Sequence, residues 1–146
     1  MNFQGLQIGI ELEVLLTPQN PPPGGFKDLE HFGRSIAQRW NRESAVGMAK
    51  MHVDIDGAYE GENENLEWSV TDDETLIGLE DTETGRWALE FTSPILQYVP
   101  SKSWRGDIQA FWNFFDQYMF IETDPKCGTH IHMSPLEEDL SQYLVV

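Results

Sequence analysis

Glu11 and Glu13 lie two residues apart in a run that alternates apolar and polar side chains, so both carboxylates fall on one face of a strand. At a rise of roughly 3.3 Å per residue they stand about 6 to 7 Å apart. A solvated surface tolerates such a pair without any chemistry. Recurrence gives it meaning. Glu90 in the run 87–92, and His130, His132 and Ser134 in the run 129–134, also oppose the apolar side of their own segments. Three strands would then present carboxylates and imidazoles on a shared polar face. Carboxylate oxygens are hard ligands that suit Mg²⁺ or Mn²⁺, and an imidazole admits a softer position. The array predicts a polynuclear platform of divalent ions holding a nucleotide's phosphates, with the cations relieving repulsion among the acids.

Only a sheet can bring these residues together. Gln7 to Leu16 reads as a strand, with Ile8, Ile10, Leu12, Val14 and Leu16 on one side and Gln7, Gly9, Glu11, Glu13 and Leu15 on the other. The following TPQNPPPGG cannot continue a ladder, because proline lacks the donor, and predicts a loop. Leu29, Phe32, Ile36 and Trp40 recur at helical spacing and predict an amphipathic helix from Lys27 to about Ser44. Met51, Val53 and Ile55 predict a short strand, DGAYEGENEN an acidic solvated loop, and Leu66, Trp68 and Val70 a strand ended by Asp72, Asp73 and Glu74. Leu76 to Leu79 and Arg86 to Thr92 flank DTETG as the arms of a hairpin. Ser101 predicts the cap of a second helix running to about Phe120, striped by Trp104, Ile108, Phe111, Phe115 and Tyr118. Thr129 to Ser134 predicts a last strand, stopped by Pro135, with a further helix from near Leu136. The expected fold is a single α+β domain over residues 1–146. Its core would be a curved antiparallel sheet of about five or six strands with two long helices on one face.

Composition bounds the partners. The chain has 146 residues, with 25 Asp plus Glu against 9 Lys plus Arg and a net charge of -16. Its 5 Trp and 8 Phe supply a core, so the acidity must sit on a folded surface. Such a surface repels phosphate backbones and anionic lipid, which predicts no nucleic-acid partner and no membrane partner. The lone Cys127 permits no intramolecular disulfide and fits a reducing, cytoplasmic location. The first sixteen residues lack a basic leader and carry two glutamates, which argues against a signal peptide or a membrane span.

Four segments together carry a resemblance: GIELE at 9–13, W-x-V-x-x-D at 68–73 followed by Thr75-Leu76, LEFTSPIL at 89–96 and CGTHIHMS at 127–134. In order and spacing they resemble the amidoligase family, part of the glutamine synthetase and glutamate-cysteine ligase superfamily of ATP-dependent carboxylate–amine ligases. The resemblance implies a glutamine synthetase-like catalytic half. Glu11 and Glu13 then match the metal-binding Glu-x-Glu and serve different Mg²⁺ sites, and Glu90 matches the third acidic ligand. His130 matches the histidine that completes a metal site, while His132 and Ser134 match positions along the bound ATP. Glu13 and Glu90 thereby serve catalysis as well as metal binding. Asp73 matches an aspartate that positions substrate or amine, with Thr75 standing where serine is usual and Asp72 as the alternative counterpart. The implied reaction passes the γ-phosphoryl group of ATP to a carboxylate substrate, giving an acyl phosphate that an amine substrate attacks to form an amide. No enzyme nucleophile is needed, so Cys127 reads as a small residue at the strand entrance.

Members of that family continue for roughly as many residues again, adding helices, a phosphate-contacting arginine and a final Glu-x-Arg-type strand. The 12 residues after Ser134 contain no Arg or Lys. The resemblance therefore implies a partial or split form, completed by a second chain or by self-association. Two other readings stand beside it. One is a non-catalytic nucleotide- and metal-binding or protein-interaction module on the same half-fold, which would bind nucleotide without turning it over. The other takes His130-x-His132 with Glu137 as part of a cupin metal signature, a mononuclear Fe, Mn or Ni site in a β-barrel. His31 and His52 read as surface or helix-face residues. The aromatic stripe of the second helix reads as core, because no basic residues interleave with it.

Overall fold

The computed structural model describes residues 5–98 and 104–135. β1 (Leu6–Pro18) is paired along both edges. On one edge β5 (Trp87–Thr92) runs antiparallel to Glu11–Leu16, and β6 (Leu96–Tyr98) to Leu6–Ile8. On the other, β8 (Thr129–Pro135) pairs with Leu6–Leu12 and β7 (Met119–Glu122) with Leu15–Pro18. Between β5 and β6 the chain passes Pro94, which has no N–H, and Ser93 bridges the gap. Its N–H donates to Ile10 O at 2.8 Å and its Oγ accepts from Ile10 N–H at 3.0 Å. Outward from β5 lie β4 (Trp68–Thr71), β2 (Met51–Ile55) and β3 (Ala58–Tyr59).

The apolar face of β1 was readable from its alternation. Ile8, Ile10, Leu12, Val14 and Leu16 are each at most 4% exposed. Two helices cover it. In α1 (Leu29–Glu43), Asp28 caps the first turn by accepting from His31 N–H at 2.8 Å, and Phe32, Ile36, Ala37 and Trp40 are buried. Gly33 lets α1 approach the sheet closely, since a Cβ there would lie 3.3 Å from both Ile55 Cδ1 and Val70 Cγ1. In α2 (Arg105–Tyr118), Phe111 sits with its ring centroid 4.6 to 6.4 Å from those of Trp40, Trp68, Phe91 and Phe115. The aromatic stripe is core.

The class is α+β as expected, but the sheet differs from the antiparallel five or six strands read from the sequence. Eight strands form it, and it is mixed, because β2 and β4 run parallel. The added strands have local causes. β3 forms inside the acidic run, where Asp56 and Gly57 take positive φ and turn the chain back on β2. β7 takes residues assigned to the end of the second helix, because Leu15–Pro18 offers a free ladder edge. The hairpin is also corrected. Residues Glu74–Leu79 form a 3-10 helix rather than a strand arm, and the turn retains a single bridge between Asp81 and Arg86. Leu66 is exposed and precedes β4 rather than joining it. The cap expected at Ser101 and the helix expected from Leu136 lie outside the described residues.

Truncating the aromatic hub tests this account. Phe111→Ala should cost about 3 to 5 kcal/mol, read as a lowered urea midpoint with an unchanged slope.

Candidate functional site

The second face of β1 carries Gln7, Gly9, Glu11, Glu13, Leu15 and Thr17, and strand register decides what each one meets. Glu13 stands directly opposite Glu90, which in turn faces Thr71 of β4. One row along, Glu11 lies between Thr92 and His130. Gly9 faces His132, and Gln7 faces Ser134. Direct antiparallel partners share a face, so the register places Glu11, Glu13, Glu90, His130, His132 and Ser134 on one side of the sheet. Ser134 is the outlying member, two rows from the Glu11 row.

Asp73 reaches this face from outside the strands. The 3-10 helix buries Leu76 against Leu15 and Ala88, a small apolar cluster that Cys127 and Leu79 flank. That contact holds the helix start, where Asp73 Oδ1 accepts from Thr75 N–H and from the Thr75 hydroxyl, each at 2.8 Å. Ligating oxygens of Glu13, Asp73 and Glu90 all lie within 4.8 Å of one another. Asp72 is exposed and lies outside this group, which contains Asp73.

Gly128 escaped the sequence reading of site residues. Its N–H donates to Glu13 Oε2 at 2.6 Å and its carbonyl accepts from Glu13 N–H at 3.1 Å. A Cβ at this position would stand 3.3 Å from His130 Nε2 and 3.4 Å from Glu13 Oε2, so glycine gives the two side chains room. The signal was its place immediately before Thr-His-x-His. Glu11 is shared by both imidazoles: Oε2 lies 3.1 Å from His130 Nδ1, and Oε1 lies 3.5 Å from His132 Nε2.

Three carboxylates this close oppose each other's ionisation. Burial first, then Asp73 and the charges of Glu11 and Glu13, push Glu90 up to about 7. Asp73 is held low by the Thr75 N–H and hydroxyl. His130 is raised by its hydrogen bond to Glu11. The donor set suits a hard divalent ion at Glu13, Asp73 and Glu90, with a nitrogen-bearing position next to it.

The same face continues to β2 and β3. Glu67 is 8% exposed and accepts from the Tyr59 hydroxyl at 2.9 Å, Glu62 N–H at 2.9 Å and Asn63 N–H at 2.6 Å. His52, read as a surface residue, has Nε2 2.7 Å from Glu67 Oε2. These contacts anchor the acidic loop. Concavities of about 230 to 320 Å³ open near the proline loop, between α1 and α2, and beside β2. Glu13, Asp73 and Glu90 are each half-buried. No family model, curated protein or solved structure matches the chain.

The electrostatics set a sign for stability against pH. Glu90 titrates near 7 in the folded chain, against an ordinary value of 4.5, so the folded state binds the extra proton between those values. Its stabilising contribution is present at low pH and lost as pH rises through about 7. His130 acts in the same direction, its contribution being lost as pH rises through its raised value. Asp73 and Glu67, both held low, add a pH dependence only in the more acidic range. In chelator-treated protein the urea midpoint should therefore fall between about pH 5.5 and 8, and Glu90→Gln should flatten most of that slope.

Proposed function

We propose that this chain is the metal- and nucleotide-binding half of an ATP-dependent carboxylate–amine ligase, on a curved, glutamine synthetase-like sheet. The observation that carries the reading is the junction of two ligand sets on one sheet face. Glu13, Asp73 and Glu90 offer converging oxygens, and Glu11 with His130 and His132 occupies the adjoining positions. Without a counter-charge the first set keeps a proton on Glu90 into the neutral range, as expected for a site built around a cation.

In this reading Glu13 and Glu90 hold one divalent ion, with Asp73 beside them, and Glu11 and His130 hold another. Bound Mg²⁺ or Mn²⁺ supplies neutralising charge for phosphoryl oxygens approaching a carboxylate. Gly128 keeps Glu13 fixed through its N–H, and Thr75 keeps Asp73 ionised and aimed at the cluster. His132 and Ser134, farther along the face, line the path of the nucleotide. The chain's own residues thus bind and orient, and the acyl-phosphate chemistry belongs to ATP, the acid and the amine. A cytoplasmic location suits the lone thiol and the use of ATP.

A second reading, a binding module that does not turn ATP over, has its own support. The carboxylates are only half-buried, and β8 is exposed from Thr129 to Ser134. Catalysis requires water to be kept from the reactive phosphate, so an open half needs a partner surface.

Isothermal titration separates these readings from a mere acidic surface. Wild-type chain should bind Mg²⁺ together with a non-hydrolysable ATP analogue, and Glu11→Gln or His130→Ala should weaken this by tenfold or more. Binding indifferent to both substitutions would remove the platform and the ligase reading with it. Binding without ATP-dependent amide formation, alone or with added partner chains, selects the module.

A further inference from the structure

Among the described residues β8 is the outermost strand on its side of the sheet, and it lacks the charges, bulges and early prolines that usually protect an edge. Thr129 through Ser134 are exposed without exception. The phase of the ladder fixes which backbone groups are free. Glu13 N–H donates to Gly128 O, and the register runs on through Glu11 with His130, Gly9 with His132 and Gln7 with Ser134. Hydrogen-bonded pairs alternate along an antiparallel ladder, so these residues direct their backbone groups at β1. The N–H groups of Thr129, Ile131 and Met133 therefore point outward, and Pro135, with no N–H, ends the row.

Both faces of the edge are unfinished. Ile131 and Met133 are 52% and 65% exposed, whereas their partners Ile10 and Ile8 on β1 are 2% and 3%. Among the described residues no helix covers Ile131 and Met133 of β8. On the opposite face, the paired rows holding Glu11, Glu13, Glu90, His130 and His132 contain no lysine or arginine.

We infer that the free edge of β8 receives an extended segment of a partner protein in which apolar residues alternate with lysine or arginine. The apolar set covers Ile131 and Met133. The basic set falls on the carboxylate face about 4.8 Å beyond His130 and His132, where it complements the acids. Charge decides against a second copy, which would bring a further net charge of -16 to the same edge. The pairing requires neither metal nor nucleotide, so its failure and that of the ligase reading are separate results.

Amide exchange by NMR on the full chain tests this, with a synthetic heptapeptide of alternating arginine and valine as the probe. Exchange at Thr129, Ile131 and Met133 should slow by about tenfold or more, saturably, while His130 and His132, already paired, change little. The same peptide N-methylated along one edge keeps its charge and loses its donors, and should give no protection. Ile131→Pro removes an outward N–H without touching the β1 ladder, and should abolish the effect while leaving the thermal melt near that of wild type. Equal binding of the N-methylated peptide would overturn the proposal, as would an absence of protection in wild type. Protection at these amides before any peptide is added, in a dimer or in a monomer, would also overturn it, because the edge would then be occupied by a second copy or by residues 136–146.

Discussion

The register of β1 against β5 and β8 is the constraint on which the site rests. Side chains alternate with a period of two, so a slip of one residue would bury the glutamates and expose the isoleucines. Two devices lock the register. The apolar side of β1 is fully buried beneath α1 and α2, and Ser93 ties Ile10 to the adjoining strand with both its N–H and its hydroxyl. Once Ile10 is fixed, Glu13 must face Glu90, while on the other edge the Glu13 N–H to Gly128 O bond is in register with Glu11 facing His130. The core and the carboxylate cluster are opposite sides of the same strand, and neither can shift without the other.

Strand-borne residues were legible because each carries its own alternation. Glu11, Glu13, Glu90, His130, His132 and Ser134 needed only a period-two reading to be placed on one face. Long apolar stripes likewise announced α1 and most of α2. What escaped depended on contacts distant in sequence. Leu76 forms no strand because Leu15 and Ala88 offer it a buried seat, and nothing within residues 74–79 shows that. Met119 to Glu122 leave the helix to meet an edge of β1 about a hundred positions earlier. Gly128 mattered for room between two side chains that only the fold brings together.

Electrostatics divide the polar face into two kinds of carboxylate. Glu67 is buried, yet its donors from Asn63, Tyr59 and Glu62 satisfy it and hold its titration low despite the burial. Glu90 is pushed up to about 7 by burial first, and then by Asp73 and the charges of Glu11 and Glu13. A fully satisfied acid is structural. Among the described carboxylates Glu90 combines burial with close acidic neighbours, the feature on which the proposed cation site rests.

The placement of β1 has a consequence for biosynthesis. It leaves the ribosome before any of its ladder partners, which are translated some 70 to 130 positions later. Until then a strand of isoleucine, leucine and valine has neither neighbour, and its glutamates are scattered on an open coil. Assembly of this face is therefore dominated by distant pairings, the regime of slow folding, and it is complete only once β8 has joined β1.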